Sequence, residues 1–316
     1  MTKLFVIFNP AARGDKARRV RHLLEARTNR HVTLAPTEQT GDATRLAAQA
    51  ARDGYGAVIA AGGDGTINEV VSGLGGADVA LGVLPAGTVN VFARELGIPL
   101  KLEAAWAVVE RGGTRQIDLG VATKVGQASC LSSVPLPDAN RLARGDRQDA
   151  CPTMANGARY FVQLAGAGFD ARAVERANWE LKKKIGPLSY VWAGLEAMAR
   201  PGPMIETDNG ARGAAVLIGN GRYYGGSFSV FPRARLDDGL LDVCVFERVR
   251  WRDLLRFGPA VLRGRHTTLP GVTYFQTREF HCHAAGPVPF EVDGELAGRI
   301  PVRFSVSPRA LRVIVP

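Results

Sequence analysis

The chain has 316 residues, 46% of them hydrophobic, which suits one large folded domain or two ordinary ones and excludes a disordered polymer. Lys and Arg number 40 against 30 Asp and Glu, and the resulting +10 attracts nucleotides, nucleic acid or an anionic membrane surface alike. The dispersed cysteines Cys130, Cys151, Cys244 and Cys282 suit free thiols in a reducing cytoplasm, and no window approaches the roughly 20 apolar residues of a membrane span.

Leu4–Phe8 reads as a buried strand rather than a leader, and it runs directly into Asn9-Pro10. Residues 15–27 carry Ala17, Val20, Leu23 and Leu24 at helical spacing. A short strand is expected at 31–34, then a helix to Arg52 capped by Thr40 or Asp42. Strands at 57–61 and 79–84 alternate with helices at 66–74, 88–96 and 102–111. Such alternation predicts an α/β domain, a parallel sheet with helices on both faces.

After Asp118 the periodicity changes to short alternating runs: 160–164, 214–218, 241–246, 272–275, 280–283, 290–292, 302–306 and 311–315. These predict an antiparallel, sandwich-like region, with helices inserted at about 171–185, 188–199 and 251–262. The boundary falls near 118–120. Residues 1–118 then form the nucleotide-binding domain and 119–305 a β-rich domain, with 306–316 free to return to the first. Residues 123–156 lack periodicity and read as an insertion. Lys182-Lys183-Lys184 reads as a solvated helix face, and Met198 and Met204 as packing residues.

Gly62-Gly63-Asp64-Gly65-Thr66 joins a buried strand to the helical run Ile67-Asn68-Glu69-Val70-Val71. A strand feeding a glycine-rich turn into a helix N-terminus presents free backbone N–H groups and a positive dipole end, both suited to phosphate. Asp64 repels phosphate unless Mg²⁺ lies between them. Pro85-Ala86-Gly87-Thr88-Val89-Asn90 repeats the arrangement at the next strand end, and Asn9-Pro10-Ala11-Ala12-Arg13-Gly14 forms a third such turn. In a parallel sheet all three fall at the carboxyl ends of strands, where ligands bind.

Together these turns resemble the catalytic domain shared by diacylglycerol kinases, sphingosine kinases and the small bacterial lipid kinases. Gly166–Ala171, Gly219-Asn220-Gly221 with Gly225-Gly226, Asp237–Asp242 and Val292-Asp293-Gly294-Glu295 continue the resemblance in order, interrupted only at 123–156. It implies a Rossmann-like, phosphofructokinase-like nucleotide domain followed by a β-sandwich-like domain. It also implies an ATP- and Mg²⁺-dependent kinase acting on a lipid hydroxyl, with no nucleic-acid partner and no transmembrane segment. By position, Asn9, Pro10, Gly14, Thr37, Gly62, Gly63, Asp64, Gly65, Thr66, Ile67, Asn68, Glu69, Gly87, Thr88 and Asn90 fall at the nucleotide. Arg235, Asp238 and Leu240 fall at a Mg²⁺ site built from one carboxylate and neighbouring carbonyls. Asp64 joins the catalytic group, Glu295 takes the place of the general base, and Asp293 supports it.

One position departs from the family pattern: the acidic residue that commonly follows the asparagine of the second turn is Val91 here. The competing readings are an NAD kinase or sugar-phosphate kinase, which share the Gly-Gly-Asp-Gly turn, and a lipid- or nucleotide-binding regulator without activity. The expected setting is the cytoplasm, with peripheral association to an anionic membrane; a homodimer stays open.

Overall fold

The computed structural model describes residues 3–10, 15–27, 31–125, 158–176 and 202–316. Four strands open the fold: β1 (Leu4–Phe8), β2 (Val32–Pro36), β3 (Ala57–Gly62) and β4 (Ala80–Pro85). They pair in parallel in the order β2-β1-β3-β4. Every residue of β3 and β4 is buried, as their continuous apolar runs require of strands covered on both faces. The crossover helices are α1 (Asp15–Glu25), α2 (Asp42–Arg52) and α3 (Asp64–Leu74), followed by α4 (Val91–Glu95) and α5 (Leu102–Arg111).

Two helices begin at places the periodicity misjudged. The helix expected from residue 66 starts at Asp64, so Asp64, Gly65 and Thr66 form its first turn. The helix expected from residue 88 starts at Val91, because Asn90 takes a left-handed conformation, φ 53°, that delays it. Neither Thr40 nor Asp42 caps α2. The Glu69 carboxylate, reaching over from α3, accepts the Gly41 and Ala43 N–H groups at 3.0 and 3.2 Å instead.

The chain then enters β5 (Thr114–Lys124), a strand absent from the sequence-based expectations, which absorbs residues 123 and 124 of the expected insertion. Residues 126–156 of that insertion lie outside the described residues. So do Gly14, Lys182–Lys184, Met198, the 188–199 helix and the latter part of the 171–185 helix. The run 160–164 divides into β6 (Ala158–Phe161) and β7 (Leu164–Gly168), which leads into α6 (Phe169–Arg176). Short strands β8 (Ile205–Thr207) and β9 (Arg212–Gly213) precede β10 (Ala215–Gly219), the hairpin β11 (Tyr223–Tyr224) and β12 (Phe228–Ser229), and β13 (Leu241–Phe246). Next come α7 (Trp251–Leu262), β14 (Val272–Thr277), β15 (Glu279–Ala284), β16 (Pro289–Val292) and β17 (Glu295–Arg299). The two final predicted strands are one, β18 (Val302–Ile314), with a bulge between Ser307 and Leu311.

β18 joins the two halves. It pairs in parallel with β4 at Val313 and Leu81, and antiparallel with β5 and β15. A second sheet, β14-β13-β10-β7-β16-β17, is antiparallel throughout. Between the sheets lies an aromatic core in which Phe304 contacts Phe161, Phe280 and Phe290. Phe231 and Phe257 of α7 bury the other face of the second sheet. Met204, expected to pack, is exposed.

Candidate active site

The first two glycine turns lie against each other. A side chain added at Gly87 would bring its Cβ within 2.5 Å of Gly63 Cα, and one at Gly63 would meet Gly87 Cα at 3.3 Å. Gly87 must therefore be glycine for the backbones to approach, while a side chain at Gly63 would press on it more mildly. The second turn is held by Asn90, whose Oδ1 accepts the Gly87 N–H and whose Nδ2 donates to Gly87 O, both at 2.9 Å. The first turn opens α3, so its free amides and the helix dipole point outward together.

Not every predicted nucleotide residue faces this cradle with its side chain. Ile67 is fully buried in the core, and Thr66 folds its hydroxyl back over Gly62. Glu69 faces α2, with its carboxylate on the Gly41 and Ala43 amides. Thr37 follows β2 and donates its N–H to Phe8 O at 2.9 Å, which sets it beside the end of β1 and hence near Asn9. Thr88 is exposed at the second turn. Asn68 is buried, and its Oδ1 has no donor among the described residues.

Asp64 accepts the Phe92 N–H of α4 at 3.2 Å, which ties the two turns together. Burial raises the Asp293 carboxyl, and the charge of Asp64 adds to the rise. Glu295 completes the cluster: its Oε1 lies 3.9 Å from where a Cβ on Gly65 would sit. The sheet thus brings a carboxylate from the second domain over the first turn of α3.

The β16–β17 hairpin presents that carboxylate. Asp293 and Gly294 have φ values of 46° and 84°, both in the left-handed region, as a tight two-residue turn demands. Asp293 does not point at the cradle. Its Oδ2 accepts the Val162 N–H at 2.8 Å and its Oδ1 those of Gln163 and Leu164 at 3.0 Å. Burial pushes this carboxyl up to about 6, against the three amides that favour its charge. Asp293 anchors the turn; Glu295 is the exposed member.

Arg235, Asp238 and Leu240 lie in one loop. Asp238 accepts the Leu240 N–H at 3.0 Å, and Arg235 pairs with Asp237 through Nε at 3.4 Å. Partial desolvation raises Asp238, and the nearby Asp118 carboxylate adds to the effect. One carboxylate with backbone carbonyls is an all-oxygen donor set, which suits Mg²⁺ or Ca²⁺, and a cation would relieve the crowding of negative charge. No group of three or more His, Cys, Asp or Glu side chains that could hold a metal occurs among the described residues. Such a site would therefore lean on carbonyls and water.

Sequence reasoning passed over three residues that organise these parts. Asp118 of β5 is buried; it accepts the Gly239 N–H and the Arg309 N–H, both at 2.7 Å. It thereby fixes the 235–240 loop to the bulge of β18. Glu95 stands one helical turn after Val91, but its carboxylate accepts Arg222 Nε at 2.9 Å and Gln163 Nε2 at 3.1 Å. It links the domains instead of replacing the missing acid. Glu291 of β16 is buried beside Asp170 of α6. The available signal was the same for Asp118 and Glu291: a lone carboxylate inside an apolar strand run.

A glycine-lined helix N-terminus in one domain, covered by a carboxylate carried on a hairpin of the next, defines a two-domain phosphotransferase. The profile of the diacylglycerol kinase catalytic domain matches residues 3–122, and that of the YegS C-terminal NAD kinase beta sandwich-like domain matches residues 163–315. A Pseudomonas aeruginosa protein named "Probable lipid kinase YegS-like" is 31% identical over 99% of this chain and 94% of its own length. A diacylglycerol kinase of Staphylococcus aureus is 30% identical over 98% of this chain and 91% of its own. The solved structure of a diacylglycerol kinase from Bacillus anthracis shares the fold at a TM-score of 0.71 and 22% identity, covering 100% of this chain and 97% of that one. The chain belongs to the diacylglycerol-kinase-like lipid kinase family, and it is a kinase.

Proposed function

We propose that this kinase transfers the γ-phosphoryl group of ATP to the hydroxyl of a lipid of the diacylglycerol type, with Mg²⁺. The observation that carries the reading is the approach of Glu295 to Gly65 across the domain junction. The amides at the start of α3 and around Gly87 would bind the phosphates, with Asn9, Pro10, Thr37 and Thr88 bordering the nucleotide. Glu295 would take the proton of the attacking hydroxyl. Asp293 would hold the turn, and Asp64 would face the phosphates. Asp238, with the Arg235 and Leu240 carbonyls, would hold a Mg²⁺, which when bound would supply charge compensation to the carboxylates around that loop.

The lipid would be met from the cytoplasmic side, at an anionic membrane. The net charge of +10 supports this, as do Arg252, Arg256, Arg263 and Arg265, exposed along and just beyond α7. No described helix is long and apolar enough to cross a membrane.

The test is incubation of the purified protein with γ-labelled ATP, Mg²⁺ and, in separate reactions, mixed bacterial lipids, dioctanoylglycerol, NAD and fructose 6-phosphate. Label in a lipid is the expected result; label in NAD or the sugar phosphate alone overturns it. Val91 favours one other reading, a regulator that binds without turnover. ATP binding with no labelled product on any acceptor would establish that one.

A further inference from the structure

Glu291 sits on β16 just before the turn that presents Glu295, and its side chain is turned inward, 1% exposed. Its Oε2 accepts the Gly294 N–H at 2.6 Å. Its Oε1 and the Asp170 carboxyl at the start of α6 crowd the same side of Gly166, and each bears on the other's ionisation. Gly166 of β7 lies beside the pair: a Cβ there would stand 2.3 Å from Asp170 Oδ2 and 2.9 Å from Glu291 Oε1. Among the described residues Glu291 Oε1 and Asp170 Oδ2 have no other partner, and Asp170 Oδ1 accepts the Tyr224 hydroxyl.

Two buried carboxylates this close cannot both ionise. One proton resolves the arrangement. Carried on Glu291 Oε1, it is donated to Asp170 Oδ2 and pairs both otherwise orphaned oxygens. Glu291 Oε2 is then the carbonyl-like acceptor for Gly294, and the Asp170 carboxylate accepts from both Glu291 and Tyr224. A continuous strut results, from the β11–β12 hairpin through α6 to the Glu295 turn.

We propose that Glu291 is a positioning residue for phosphoryl transfer: through Gly294 it fixes the turn from which Glu295 reaches the first turn of α3. The inference rests on Glu295 being the general base. Burial raises Glu291 well above the ordinary carboxylate range, and the charge of Asp170 adds to this. The titratable groups that bear on Glu291 are Asp170 from α6, Tyr224 through Asp170, and Asp293 of its own hairpin; β7 brings only Ala165, Gly166 and Ala167. Burial and the Asp170 charge both favour the protonated form of Glu291, and loss of the proton at higher pH drives the two carboxylates apart.

Amide hydrogen exchange at Gly294 and Glu295 reads the turn directly, with or without a known lipid acceptor. Glu291→Met removes the acceptor, and exchange there is expected to quicken on the order of tenfold or more while β13 stays protected. With dioctanoylglycerol micelles and ATP, kcat should fall about 100-fold with KM for ATP within about twofold, the signature of a displaced base. Glu291→Gln, which keeps one acceptor and one donor without a titrating proton, should restore both. In the wild type the protection of Gly294 should decline at alkaline pH, and in Glu291→Gln it should not; this comparison decides the matter even if the Met variant does not fold. Unchanged protection in Glu291→Met, equal damage in Glu291→Gln, or the same alkaline decline in both proteins overturns the proposal. Glu295→Gln is assayed alongside: full turnover there removes the base from Glu295, while exchange at Gly294 still reports whether Glu291 holds the turn.

Discussion

Glu295 approaches Gly65 from far along the chain, and the carboxylate and the glycine cradle it overhangs give distinct signatures when replaced. Glu295→Gln preserves size and removes the basic oxygen. It should lower kcat about 10²- to 10⁴-fold and leave ATP binding unchanged, as single-turnover kinetics and nucleotide titration would show. Normal turnover in that variant would exclude Glu295 as the base. Gly87→Ala acts on the other side. Its Cβ would sit 2.5 Å from Gly63 Cα and 2.8 Å from Asn90 Oδ1, so the two turns must separate. ATP affinity should drop on the order of tenfold or more, equivalent to about 1.4 kcal/mol, by calorimetry. The glycines were legible in the sequence because a strand, a glycine turn and a helix follow one another within a few residues. The function of Asp118, Glu95 and Glu291 was not: the first two act on backbone amides remote in sequence, and Glu291 is matched to Asp170, on an element distant along the chain.

At the scale of elements, the strands and helices of residues 4–111 follow the expected order because period and burial agree there. Boundaries moved where side-chain bonds to backbone decide them. Asn90 closes on Gly87 and delays α4, while Glu69 takes the capping role expected of Thr40 or Asp42. A cap lent by a different helix leaves no local signature. Glu69→Ala should therefore destabilise the protein by about 0.5–2 kcal/mol, the usual worth of a lost N-terminal cap and its charge. The denaturant midpoint measures this, with Glu69→Gln recovering part of the loss. A larger effect of Asp42→Ala than of Glu69→Ala would return the cap to the local residue. The Asp293-Gly294 hairpin was legible as a turn, whereas β5 was not, because its outer residues are exposed and only its middle is buried.

For the whole molecule, the sequence separated an α/β part from a β-rich part but did not show that β18 runs through both, since pairing partners in a sheet are set by packing rather than by local pattern. The β-rich part buries several carboxyls, and this should be visible in stability against pH. Asp170, Asp242, Glu291 and Asp293 are all raised by burial. A carboxyl raised in the folded state lends stability below its unfolded value, and that stability is lost as pH rises through the folded value. For Asp293 the window runs from 3.8 to about 6. His266 opposes the trend: burial lowers it, so its stability is present above its ordinary 6.5 and is lost as pH falls through the folded value. The carboxyls outnumber it, and the net slope across 4.5 to 7.5 should be downward. Asp293→Asn isolates one share. The variant loses an acceptor for the 162–164 amides and should be the less stable protein at pH 4.5. The gap should then narrow by about 2 kcal/mol on going to pH 7.5, at roughly 1.4 kcal/mol per pK unit over the part of the window above 4.5. Urea midpoints of both proteins at pH 4.5, 6 and 7.5 test this, and a gap that widens with pH would mean that Asp293 is held as a stabilised anion rather than a desolvated one.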